Sequence, residues 1–157
     1  MSDRSDTWHS KIREIFDYWQ SIRPATGVLP ARRHFDPLAV PALLPNIRLI
    51  DVQREPLRFR YRLVGTRIVE AHGYDMTGQW LDEAHPEFRS DTPVRREYLT
   101  VIEERRPSYR RGKPVFGVNE EKYTGIERLL LPFAADGATV DILLAMAVFL
   151  DHLGNEV

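Results

Sequence analysis

Apolar positions change their spacing several times along the chain, and each change marks an element. Trp8, Ile12, Ile15, Phe16, Trp19 and Ile22 recur at steps of three or four, which puts them on one stripe of an amphipathic α-helix. Asp6 or Thr7 can cap its start, and Pro24 with Gly27 ends it. A Pro-punctuated linker follows. Asp36-Pro37 then reads as a cap with proline in the first turn of a short helix, cut off by Pro41 and Pro45. Ile47 to Gln53 is apolar enough for a strand, and Glu55-Pro56 is a turn. Leu57 to Leu63 alternates apolar residues with arginines, the period of a half-buried strand. The two strands predict a hairpin.

Thr66 to His72 predicts a short helix. Pro93 to Glu104 predicts a longer one, capped by Asp91 or Thr92, with Val94, Tyr98, Val101 and Ile102 as its stripe. Three more strands are expected at Ser108 to Phe116, Tyr123 to Phe133 and Val140 to Leu150. Asn119-Glu120-Glu121 and Asp136-Gly137 are the turns between them. Sequence-adjacent strands joined by short turns imply an antiparallel α+β sheet. Ile142 to Leu150 is apolar at both odd and even positions, as is Leu129-Leu130-Leu131, so both sheet faces should be covered there. The mid-chain helices can cover one face. The N-terminal helix can cover the other, within one subunit or across a dimer. Trp8, Ile12, Ile15 and Trp19 are therefore candidates for a dimer or partner interface. Residues 1–24 read as a capping or dimerisation helix and 25–157 as the sheet domain.

Composition narrows the chemistry. The 157 residues make one domain with a real core, and the net charge of −1 gives no strong pull toward nucleic acid or acidic membranes. There is no cysteine. Disulfides, Cys-ligated zinc, iron–sulfur clusters and a flavin photosensor working through a cysteinyl adduct are thereby excluded. The polar start, Met1 to Asp6, has no apolar signal region, and no run approaches a membrane span. A cytoplasmic protein is expected.

Several residue patterns carry a resemblance. They are Trp19, Leu29-Pro30-Ala31-Arg32, Phe35-Asp36-Pro37, Leu43-Leu44-Pro45, Arg60-Tyr61-Arg62-Leu63-Val64-Gly65-Thr66, and Gly73-Tyr74-Asp75-Met76-Thr77-Gly78. Over roughly residues 15 to 150 the chain resembles a PAS domain, and more narrowly the PAS-like family of small alphaproteobacterial proteins. The resemblance implies a five-stranded antiparallel sheet with helices between strands two and three. It also implies a small internal cavity, a tendency to dimerise and a role in signal transduction. It leaves the cofactor unknown, because such domains bind haem, flavins, small acids or nothing identifiable. His72 and His85 fall where haem-binding members place an axial ligand. His72, in the helix-to-glycine bend, is the better placed, and His85 before Pro86 reads as a loop residue.

Tyr61, Trp80 and Tyr98 offer a cavity apolar walls with a polar tip, and would equally fill a ligand-free core. With His72 they are the candidate ligand-binding residues. Tyr74, Tyr109, Phe116 and Tyr123 read as core. Arg58, Arg60 and Arg62 share a strand face, read as solvated with acidic neighbours such as Asp51 or Glu55. Gly65, Gly73 and Gly78 lack phosphate-loop spacing and read as positions of positive φ or close packing. His9, His34 and His152 lack metal-ligand spacing. No nucleophile, base and orienter occur together. The expected function is a stand-alone, non-enzymatic sensory or regulatory module, acting on a small ligand or through a separate signalling protein. The alternatives are a ligand-free interaction domain and a small cone-shaped α+β isomerase or dehydratase using Tyr and Asp.

Overall fold

A computed structural model describes residues 7–157. Its elements are α1 (Ser10–Ser21), β1 (Ile47–Gln53), β2 (Arg58–Val64), α2 (Thr66–His72), α3 (Leu81–Ala84), α4 (Pro93–Glu104), β3 (Ser108–Gly112), β4 (Gly125–Phe133) and β5 (Ile142–Leu150). The five strands form one antiparallel sheet in the order β2-β1-β5-β4-β3. The two chain-adjacent groups, β1–β2 and β3–β4–β5, meet through the β1–β5 pairing, with α2, α3 and α4 between them. This is the α+β arrangement expected.

Helix α1 starts later than its apolar stripe suggests. His9 caps it, its Nδ1 accepting from the Lys11 amide at 3.1 Å, and Thr7 lies in a short turn before it. Asp6, the other expected cap, lies outside the described residues. The reason is a tertiary contact. The His9 amide donates to buried Glu127 Oε1 at 2.9 Å, and Trp8 stacks flat on Tyr109 with centroids 4.6 Å apart. These fix the entry to the helix on β3 and β4.

The stripe of α1 lies on the chain's own sheet. Trp8, Ile12, Ile15 and Trp19 are all buried there, and Trp19 Nε1 donates to the Pro132 carbonyl at 3.0 Å. These side chains, expected at a dimer or partner interface, are thus used inside one chain, and α1 shares a single apolar cluster with residues beyond position 24. The other sheet face is covered by α4 and the segments around it. Both faces of β5 are therefore dry, which is why Ile142–Leu150 shows no alternation and is buried throughout.

Two strands depart from the expected pattern for chemical reasons. β3 stops at Gly112 rather than Phe116, because Pro114 has no N–H for the ladder; residues 113–124 form a loop. On β2 the ladder shifts register between Leu49 and Ile50, so Leu49 faces Leu63 but Ile50 faces Tyr61. That bulge turns Leu63 outward, to 44% exposure, instead of onto the apolar face of Phe59 and Tyr61.

The Gly65 corner is a close approach. Its N–H donates to Ile47 O at 2.8 Å, and a Cβ built there would sit 2.4 Å from Pro45 O. Only glycine lets α2 leave β2 against the Pro41–Asn46 turn. Gly73 and Gly78 have φ of 84° and 89°. At Gly78 the chain folds back onto β2, where Gly78 N donates to Tyr61 O and Tyr61 N to Gln79 O. The outer edge of β2 is covered in this way.

Candidate functional site

The helix-facing side of the sheet carries an unusual set of polar groups. Sheet register assigns them. Arg48 on β1 faces Ala145 on β5, and Arg128 on β4 faces Ala147. Two alanines at the centre of an otherwise bulky strand leave room for two arginine side chains above it. Arg48 is 3% exposed and Arg128 2%. Both line a narrow cavity together with His72, Phe116 and Phe149, and its free volume is only about 10 Å³, room for about one water molecule.

The polar groups around the cavity are paired unevenly. Glu97 on α4 accepts from Arg128 Nη2 and from Ser108 Oγ, the latter at 2.7 Å. Tyr61 and His85, both buried, meet at 2.6 Å between the hydroxyl and Nε2. Burial, then the Arg48 charge and His72, hold His85 down to about 3, so its ring is neutral. Burial raises the Tyr61 phenol. Tyr61 O–H is therefore the donor and His85 Nε2 the acceptor. His72 is likewise held down to about 4, by burial and then by Arg48, and its Nδ1 donates to Gly117 O at 3.1 Å. Arg48 Nε, Arg128 Nε and Nη1, and the Tyr98 hydroxyl are buried with no partner among the described residues.

The same two histidines hold the 113–124 loop over the cavity mouth. Phe116 lies flat on the His85 ring, 3.8 Å between centroids, while Gly117 takes the His72 hydrogen bond. Anything that disturbs the cavity is thus one contact away from an exposed loop.

The candidate ligand-binding residues separate into two groups. Tyr61 and Tyr98 are fully buried beside Arg48, and His72 lines the cavity half-buried. Trp80 stands apart, at the outer edge of β2, with the Arg58 and Arg60 guanidinium carbons 4.1 and 5.7 Å from its ring centroid. His85, read as a loop residue, is the more buried histidine, because its ring turns in to Tyr61. Tyr74, read as core, is 47% exposed. On the β2 face the expected acid pairing is found for Arg62, which bonds Asp51 at 2.8 Å. Arg58 pairs instead with Asp82 and Glu83 on α3.

Haem and flavin do not fit these residues. The space is water-sized, and both cavity-side histidines already have partners. Among the described residues no cluster of His, Asp or Glu could hold a metal ion, and no helix is long and apolar enough to cross a membrane.

Sequence reasoning missed Arg48 and Arg128. The available signal was a charged residue inside an apolar strand, in Ile47-Arg48-Leu49-Ile50 and Ile126-Glu127-Arg128-Leu129. In strands wet on neither face, such a charge has to point into a buried site.

Comparison with known proteins places this geometry. A PAS domain family model matches residues 7–147, and the chain belongs to the PAS domain family. Its fold is similar to that of a sensory box sensor histidine kinase from Vibrio cholerae, with TM-score 0.51 and 15% identity, covering 73% of this chain and 90% of that one. It is similar also to a fungal LOV domain photoreceptor, with TM-score 0.50 and 15% identity, covering 88% and 91%. No curated protein matches the chain significantly.

Proposed function

We propose that the chain is a non-catalytic sensory module of signal transduction whose input is a small ligand in the cavity beside Arg48 and Arg128. The observation that carries this reading is the group of buried, partnerless donors on Arg48, Arg128 and Tyr98. Buried polar atoms are normally satisfied, and an exception at a cavity is a place for a guest. The output would pass through the 113–124 loop to a separate signalling protein in the cytoplasm. A homodimer fits this reading, formed through a surface other than the buried stripe of α1.

A second reading is a ligand-free interaction domain, and one observation favours it: the cavity is only about 10 Å³. Native mass spectrometry of the protein, with hydrogen exchange of residues 113–124 before and after stripping small molecules, separates the two. A small-molecule adduct whose loss speeds exchange in the loop supports the sensory reading. A protein with no adduct and a loop indifferent to stripping supports the second.

A further inference from the structure

The charges lining the cavity do not balance. Arg48 and Arg128 are both at least nine-tenths buried. Among the described residues one carboxylate bonds to them, that of Glu97, and it is taken by Arg128 Nη2 and Ser108. The groups facing Arg48 include no carboxylate: they are the Tyr61 and Tyr98 side chains and the His72 and His85 rings, both held neutral by burial and by Arg48 itself. Half-buried Arg110 on β3 adds a third guanidinium to the lining. A buried guanidinium cannot lose its proton to escape the cost of burial, as a lysine can. It needs a counter-charge, and a buried cation without one is strongly unfavourable.

The free donors have a particular character. Arg128 offers Nε and Nη1, Arg48 offers Nε, and Tyr98 offers O–H. Guanidinium edges match a flat, two-oxygen anion in bidentate fashion. The Arg128 guanidinium lies over the Tyr98 ring, 5.6 Å from its centroid. The free volume of about 10 Å³ holds one water, so only the smallest such anion enters, and it does so by displacing Val115 and Phe116 of the loop that line the cavity.

Resting on the sensory reading above, we propose that the guest is a small planar oxyanion, such as a one- or two-carbon carboxylate or its isostere nitrate. It would be held between Arg48 and Arg128, which line the cavity, with the partnerless Tyr98 hydroxyl behind them as a further donor once the guest is seated. The anion completes the charge balance that Glu97 leaves unfinished. Binding would press on Phe116 and Val115, which line the same cavity, and so reach the loop.

The test is a thermal-unfolding titration of the full chain at constant ionic strength, with gluconate as the bulky background anion. The probes are formate, acetate and nitrate, with chloride as a spherical control. The expected result is a saturable rise in Tm with formate or nitrate, absent with gluconate, and lost in Arg48→Met. Tyr98→Phe, which keeps the volume, should weaken the apparent affinity about fivefold, the loss of one hydrogen bond of about 1 kcal/mol. Should Arg48→Met not fold, the Nε–H resonances of Arg48 and Arg128 in the wild-type protein read the site directly, and both should move with formate. A formate response equal to that of gluconate, or one unchanged in Tyr98→Phe and Arg48→Met, overturns the proposal. A neutral adduct that protects the loop would overturn the anion and leave the sensory reading standing. A saturable formate response with no change in loop exchange would support the anion site while removing the sensory reading.

Discussion

The Tyr61 hydroxyl and His85 Nε2 are 2.6 Å apart, both residues buried. This bond joins the second strand to the turn after α3, and His85 in turn stacks on Phe116 of the loop. Tyr61→Phe leaves His85 Nε2 buried without a donor and should cost about 1–3 kcal/mol. His85→Leu should cost a similar amount, and the double variant less than the sum, with a coupling of about 0.5–3 kcal/mol. Urea unfolding of the four proteins measures the cycle, and additive costs would mean the pair does not act together.

The two cavity histidines make stability depend on pH. Their pKa values lie at about 4 for His72 and about 3 for His85 in the folded chain, below the ordinary value near 6.5. The unfolded chain therefore binds more protons between these limits, so stability rises with pH across that window. The contribution is full above about 6.5 and is lost as pH falls toward 4 and then 3. For His85 it amounts to roughly 5 kcal/mol. His85→Gln, which cannot titrate, should flatten the slope of ΔG between pH 6.5 and 4. An unchanged slope would place the proton uptake elsewhere.

Much of the fold was legible in the chain because local chemistry and tertiary packing agree there. The Arg58-Phe59-Arg60-Tyr61 alternation, the Pro93 start of α4 and the unbroken apolar run of β5 each name their element. The failures lie where long-range contacts decide. The start of α1 is set by Glu127 and Tyr109, more than a hundred residues away. The amphipathic stripe of α1 shows that a face is covered, and only the folded chain shows that its own sheet does the covering. The cavity was half legible: His72 lines it and Tyr61 and Tyr98 are buried beside its Arg48, Trp80 is held outside by two arginines, and Arg48 and Arg128 hid inside apolar strands.

The packing of α1 makes a direct prediction. Ile15 is fully buried against the sheet, so Ile15→Ala should destabilise the protein by about 2–5 kcal/mol. Trp19→Phe loses less, about 0.5–1.5 kcal/mol for the bond to Pro132, plus a cavity term. Guanidinium unfolding at two protein concentrations checks this. Losses that vanish on dilution would indicate that the stripe is buried between chains.

Gly65 tolerates no side chain. A Cβ there would lie 2.4 Å from Pro45 O and 2.5 Å from Leu44 O, both backbone atoms. Gly65→Ala must push α2 off the Pro41–Asn46 turn and should cost about 3 kcal/mol or more. Thermal unfolding reads it, and a loss below about 1 kcal/mol would contradict the close approach.

Arg48 sets function against stability. Arg48→Met removes a buried, incompletely paired charge at similar volume. With gluconate as the only added anion it should be neutral or stabilising by up to roughly 2 kcal/mol. A loss of 3–5 kcal/mol would show that Arg48 is already fully compensated by groups of the chain itself.

The most direct measurement is the amide and arginine side-chain ¹H–¹⁵N map of the wild-type protein titrated with formate. The account predicts saturating shifts at Arg48, Arg128 and Tyr98 that extend into residues 113–118, with α1 unmoved. A map that drifts linearly and without locality up to high formate would contradict it.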